Sequence, residues 1–129
     1  MTSITICNKV YNINITKLDL INNELIELPQ ELQYLTQLTH LDVIYNKLTE
    51  LSAHIQHLTQ LTQLNISHNY LKELPKEIQY LKRLTKLNVR YNNLIELPPE
   101  LQYLIQLTDL DLIYNNLTEL SAHIQYLTQ

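Results

Sequence analysis

Apolar and polar residues alternate along this chain in a pattern that repeats every 23 positions, without insertion, from Ile15 to Gln129. Periods of this length announce stacked supersecondary units. Five units begin at Ile15, Leu38, Leu61, Leu84 and Leu107. Position 4 is Leu18, Leu41, Leu64, Leu87 and Leu110, and position 6 is Leu20, Val43, Ile66, Val89 and Leu112. With polar residues between and around them, these two positions have the period of a strand with one buried face. Apolar positions 14, 18 and 21 lie three or four apart instead, which predicts a short helical or 3-10 return. Pro29, Pro75 and Pro98 at position 15 fit its first turn, where a missing N–H is harmless. Each unit therefore reads as strand, turn and return. One such unit cannot close a core, but five stacked units bury a continuous leucine spine.

Position 9 is always asparagine: Asn23, Asn46, Asn69, Asn92 and Asn115. The chain must leave the strand there with peptide groups still buried, and those groups need partners. An asparagine column supplies both acceptor and donors from coil to coil, and on this reading it also does the turning that glycine does elsewhere. Residues 1–14 fall outside the repeat. Ile4 and Ile6 alternate, an Asn8-Lys9 turn follows, and Val10, Tyr11 and Ile13 come next, a pattern that predicts a capping hairpin over the first strand. Units two and five agree at 19 of 23 positions and units one and four at 15, which indicates a 69-residue superperiod. No polar cap follows unit five, so self-association through the C-terminal repeat is one expectation.

Composition narrows the chemistry. The 129 residues include 28 leucines and no glycine, phenylalanine or tryptophan. Without glycine, the phosphate-cradling loops, the dinucleotide fingerprint and the nucleophile elbow are excluded. The nine Lys and Arg are scattered and the net charge is −4, which disfavours nucleic acid. No run is long and apolar enough to span a bilayer, and Met1 to Cys7 lacks the pattern of a secretory signal. One cysteine, Cys7, cannot form an internal disulfide. A cytoplasmic, intracellular setting follows as an expectation. Residues with AT-rich codons make up about a third of the chain, so that cytoplasm would be a host's if the source is viral or a bacterial effector.

The pattern L-x-x-L-x-[LIV]-x-x-N-x-L-x-x-L-P-x-x-[LI]-x-x-L-x-x resembles the leucine-rich repeat family, in its intracellular 23-residue type seen in Ras-pathway scaffolds. The resemblance covers about 89% of the chain. It implies an α/β leucine-rich repeat solenoid: a right-handed coil with a parallel β-sheet on the concave side and short helical or 3-10 segments on the convex side. It also implies a non-enzymatic protein-binding platform. The partner class it suggests is an intracellular protein, such as a signalling protein or a member of a small-GTPase pathway. Two departures stand out. Position 19 is glutamine (Gln33, Gln56, Gln79, Gln102, Gln125) where this type often has glycine, and Ser52 and Ser121 replace the proline.

In such a coil, positions 3, 5 and 7 point away from the spine, with position 8 on the rim. Equal positions in neighbouring coils then lie about 4.8 Å apart. Position 5 reads Asp19, Asp42, Asn65, Asn88 and Asp111. Position 7 reads Ile21, Ile44, Ser67, Arg90 and Ile113, and position 8 reads Asn22, Tyr45, His68, Tyr91 and Tyr114. Apolar Ile21, Ile44 and Ile113 beside Tyr45, Tyr91 and Tyr114 have the make-up of a binding hot spot. With His68, Arg90, Asp19, Asp42 and Asp111 they form the expected partner-binding face. Single exposed apolar residues are ordinary, but two adjacent columns favour function. Asp19 beside Asp42 places like charges on neighbouring strands, which simple tolerance explains better than a cation or catalytic site. His54 and His57, or His40 and His68, do not supply the roughly four convergent ligands zinc needs. Neither catalytic residues nor a cofactor or metal is expected. The alternatives to a binding module are a self-associating structural protein and a substrate-recruiting fragment of a larger enzyme.

Overall fold

The structure is a computed structural model that describes residues 1–118. Leu120, Ile124 and Leu127, on which the fifth return and the self-associating end were placed, lie outside the described residues. Strands β1 (Ser3–Ile6) and β2 (Lys9–Asn12) form an antiparallel hairpin. Five three-residue strands then stack in chain order as one parallel sheet: β3 (Lys17–Asp19), β4 (His40–Asp42), β5 (Gln63–Asn65), β6 (Lys86–Asn88) and β7 (Asp109–Asp111). Their register pairs each residue with the one 23 positions later, so Leu18, Leu41, Leu64, Leu87 and Leu110 form one row. The strands cover only positions 3 to 5 of each unit.

Between them run 3-10 helices at Gln30–Tyr34, Ala53–His57, Lys76–Tyr80 and Pro99–Tyr103. The returns are 3-10 and not α because only six residues separate the apolar anchors at positions 14 and 21. The i to i+3 bonds follow the anchors, as when Leu35 N–H donates to Leu32 and Leu38 N–H to Leu35. Pro29, Pro75 and Pro98 sit one residue earlier than expected, extended (ψ 132° to 150°) just ahead of each helix. Their carbonyls accept the first helical bond, from Leu32, Ile78 and Leu101. Where proline is absent, Ser52 Oγ accepts from His54 N–H at 3.2 Å.

The spine is a single apolar cluster from Ile4 to Leu107, built from positions 1, 4, 6, 11, 14, 18 and 21. Inner residues such as Leu35, Leu58, Leu81 and Leu104 are fully enclosed. The hairpin turns at Cys7 and Asn8, both with positive φ (50° and 63°), one residue before the predicted Asn8-Lys9 turn. This is the two-residue primed turn that suits the twist of a hairpin. It buries Ile4 and Ile6 in the same spine. The hairpin does not extend the parallel sheet.

Position 9 behaves as its chemistry demands. Asn69 Oδ1 accepts from Leu48 N–H of the preceding coil at 3.0 Å, while its Nδ2 donates to Val43, Ile66 and Ser67 carbonyls. Asn92 repeats this with Leu71, Ile66, Val89 and Arg90. A second ladder was not foreseen. Thr39, Thr62, Thr85 and Thr108 at position 2 each donate Oγ1–H to the threonine carbonyl one coil back, at 3.0 to 3.2 Å.

The turning itself is done one residue earlier than the sequence suggested. Asn22, Tyr45, His68, Tyr91 and Tyr114, all at position 8, have φ between 54° and 58°. The asparagine that follows ties this left-handed turn to the preceding coil but does not make it. Glu24, at φ 55°, is the other left-handed residue of the first coil and is exposed. Its only ion pair among the described residues is a surface one to Lys47 at 3.6 Å, worth little. Glu24→Gly is therefore expected to stabilise the fold by about 1 kcal/mol, because glycine adopts positive φ without steric cost. An unchanged or lowered urea midpoint would contradict this.

Candidate interaction face

The sheet presents a groove of about 800 Å³ lined by positions 3, 4 and 5 of all five strands. Its polar walls are Lys17, His40, Gln63, Lys86 and Asp109 on one side and Asp19, Asp42, Asn65, Asn88 and Asp111 on the other. Position 7 does not join it. The chain has left the strand by then, and Ser67 is buried at 3% exposure while Ile44 and Arg90 are half-buried. The expected single face is thus two surfaces. Asp19, Asp42 and Asp111 line the groove, while Ile21, Ile44, Tyr45, His68, Arg90, Tyr91, Ile113 and Tyr114 lie beyond the strand ends.

What forces this change of direction is an Asx turn. At position 5, Oδ1 of Asp19, Asp42, Asn65, Asn88 and Asp111 accepts the N–H of the residue two on, at 2.9 to 3.2 Å. The restriction of that column to Asp and Asn was the signal, since these two residues share the short acceptor such a turn requires. Read only as surface, it was missed.

Past this turn the position-8 rings lie in contact, Tyr45 tilted by 32° against His68 and the later pairs stacked. Tyr45 and His68 have centroids 4.3 Å apart, His68 and Tyr91 4.3 Å, and Tyr91 and Tyr114 4.4 Å. Left-handed backbone costs a bulky residue about 1–2 kcal/mol, and aromatic contact offsets about 0.5–1.5 kcal/mol per pair. Four such residues share three contacts, so the contacts offset only part of the backbone cost, and the rings stay accessible: Tyr45 is 57% exposed, Tyr91 38% and Tyr114 63%. Exposed Ile21 and Ile113 flank it. A hollow of about 380 Å³ beside the ladder is lined by Asn22, Glu24, Lys47, Tyr70 and the first rings.

Charge is distributed unevenly along the groove. At the far end Lys86 pairs with Asp109 at 3.9 Å and Arg90 Nη1 with Asp111 at 3.6 Å, with the Arg90 guanidinium 5.2 Å from the Tyr91 ring centroid. At the near end neither Asp19 nor Asp42 has an ion pair among the described residues. Burial pushes the Asp42 carboxyl above its ordinary 3.8; the Ile44 N–H it accepts pulls it down, and neighbouring Asp19 raises it further. A carboxyl with a raised pKa in the fold binds its proton more readily folded than unfolded. Its stabilising contribution is full below the unfolded value and is lost as pH rises through the folded one. Asp42→Asn keeps the Oδ1 acceptor and should raise the melting temperature at pH 7 while leaving it unchanged at pH 3. A lower melting temperature at pH 7 would show that the charge itself holds the fold.

Among the described residues no group of three or more His, Cys, Asp or Glu is placed to hold a metal, and no helix is long and apolar enough to cross a membrane. The convex tyrosines Tyr34, Tyr80 and Tyr103 are half-exposed, with Lys82 over Tyr103 at 5.2 Å.

Two family models, both described as leucine rich repeat, match residues 13–71 and 83–104. This chain is a leucine-rich repeat protein. Among solved structures, a leucine-rich repeat protein of Leptospira interrogans superposes with a TM-score of 0.86 and 39% identity, over 88% of this chain and 29% of that one. The leucine-rich repeat domain of the type III effector XopL gives 0.80 and 30%, over 87% and 41%. The BIR3–SERK2 complex from Arabidopsis thaliana gives 0.74 and 28%, over 91% and 63%. This leucine-rich repeat chain therefore spans less than two thirds of the length of each. No curated protein matches it.

Proposed function

We propose that this leucine-rich repeat array is a non-enzymatic module that binds an intracellular protein across its concave groove and the adjoining aromatic ladder. The observation that carries the reading is the ladder: Tyr45, His68, Tyr91 and Tyr114 occupy a backbone state glycine or asparagine would adopt more cheaply, and remain accessible beside exposed isoleucines. Large aromatics over an aliphatic border are what interface hot spots are made of. The XopL neighbour is a domain of an effector and the BIR3–SERK2 neighbour is a protein complex, which supports a protein partner in general. A signalling protein, including one of a small-GTPase pathway, is the first class to test, and a cytoplasmic location belongs to the same proposal.

Crosslinking mass spectrometry in a cell lysate tests this reading. Crosslinks to one partner should fall on Lys17, Lys47 and Lys86, which border the groove and ladder. Crosslinks confined to Lys76 and Lys82 on the return side would refute it.

A further inference from the structure

The 69-residue superperiod lets one end of the groove be compared with the other. Asp42 corresponds to Asp111 three coils on, Lys17 to Lys86 and Ile21 to Arg90. At the far end every carboxylate is matched by a cation of the chain itself. At the near end Lys17 lies opposite His40 in the strand register, where Lys86 lies opposite Asp109. Ile21 stands where Arg90 would reach the carboxylate. Two aspartates on adjacent strands are left with no cation of their own among the described residues.

Those charges are not needed for folding. Asn65 and Asn88 make the same Asx turn with an amide oxygen as Asp19 and Asp42 make with a carboxylate. Asparagine would therefore build this end of the groove equally well and without like-charge repulsion between adjacent strands. The carboxylates suit a ligand and not the coil. The far end also shows what they suit: a guanidinium lying between a position-5 carboxylate and a ladder ring.

We infer that the partner lays an extended segment along the groove and places an arginine side chain against Asp19 and Asp42, making there the carboxylate contact that Arg90 makes with Asp111, with Asn22 in the place of the Tyr91 ring. This deepens the concave-face reading and rests on it. The amides of Gln63, Asn65 and Asn88 at the centre of the groove offer both donors and acceptors to the segment's backbone. Arginine fits better than lysine because its planar, weakly hydrated head bonds two carboxylate oxygens at once, here the ones the turns leave free.

The test uses N-acetyl-arginine amide as probe, with the neutral isostere N-acetyl-citrulline amide as control, followed on the backbone amides of the full chain by NMR. The Ile21 and Ile44 amides, which donate to Asp19 and Asp42, should shift at least threefold more with arginine than with citrulline. The Ile113 amide, bonded to the already paired Asp111, should move far less. The double variant Asp19→Asn, Asp42→Asn should fold normally, lose the arginine response, and bind the crosslinked partner at least tenfold more weakly. Equal shifts with both probes, shifts at Ile113 as large as at Ile44, or no shift would overturn the inference. If the double variant binds the partner normally while loss of the ladder tyrosines abolishes binding, the arginine site is wrong and the face reading stands. Normal binding by both variants refutes the face reading as well.

Discussion

Asn69→Leu should destabilise the array by about 2–3 kcal/mol, read as a drop in the urea midpoint. The hydrogen bonds show where that cost arises. The three carbonyls served by Asn69 Nδ2 keep other donors: Val43 retains Asn46, Ile66 retains Asn92 and Ser67 retains the Tyr45 N–H. Leu48 N–H has no second acceptor and would be left orphaned in the spine. A buried unsatisfied donor costs about 1–3 kcal/mol, and the lost Nδ2 bonds add to it. Asn23 is the internal control. It is exposed, and its Nδ2 donates only to its own coil, at the Ile21 carbonyl. Asn23→Leu should stay within about 0.5 kcal/mol of the parent, as surface changes do. Equal midpoints for the two variants would mean that the buried ladder does not hold the coils together.

The triple variant Tyr45→Ala, Tyr91→Ala, Tyr114→Ala is expected to weaken partner binding at least a hundredfold. Two or more hot-spot side chains, each contributing about 2 kcal/mol, account for a change of that size. The circular dichroism spectrum should be retained, because alanine meets the left-handed backbone at a cost similar to that of tyrosine and the spine is untouched. The urea midpoint should fall, since stacking is lost at each rung. Undiminished binding, measured on the crosslinked partner, would remove the ladder from the interface.

Much of this architecture was legible because the repeat has one length and no insertions. Leu18 and its equivalents, spaced by 23, could only be a stacked row, and positions 14, 18 and 21 could only be a short return. The position-9 asparagines followed from the need to satisfy a turning backbone. The misreadings have one physical source, namely that a column of residue types does not reveal backbone dihedrals. Tyrosine and histidine at position 8 gave no hint of positive φ, a state usually held by glycine or asparagine, so the turn was assigned to Asn46 and its equivalents. The Asp and Asn of position 5 were weighed as surface charge, although their common acceptor caps the strand and sends position 7 out of the groove. The threonine ladder was hidden because threonine at a strand start is unremarkable until its hydroxyl is seen to reach the previous coil.

The spacing of the stacked rings has a consequence for how anything can touch them. Centroids 4.3 to 4.4 Å apart leave no gap for a planar group to slide between rungs, so the ladder behaves as one plate with two end faces. The greater exposure of Tyr45 and Tyr114 than of Tyr91 marks those ends. Apart from Tyr91, which the Arg90 guanidinium already approaches, a group nearing the middle meets ring edges, where the positive part of the aromatic quadrupole lies and carbonyl oxygens are favoured. The same surface thus sorts the atoms of an incoming chain, with peptide oxygens toward the ladder's flank and positive charge toward the aspartate wall of the groove.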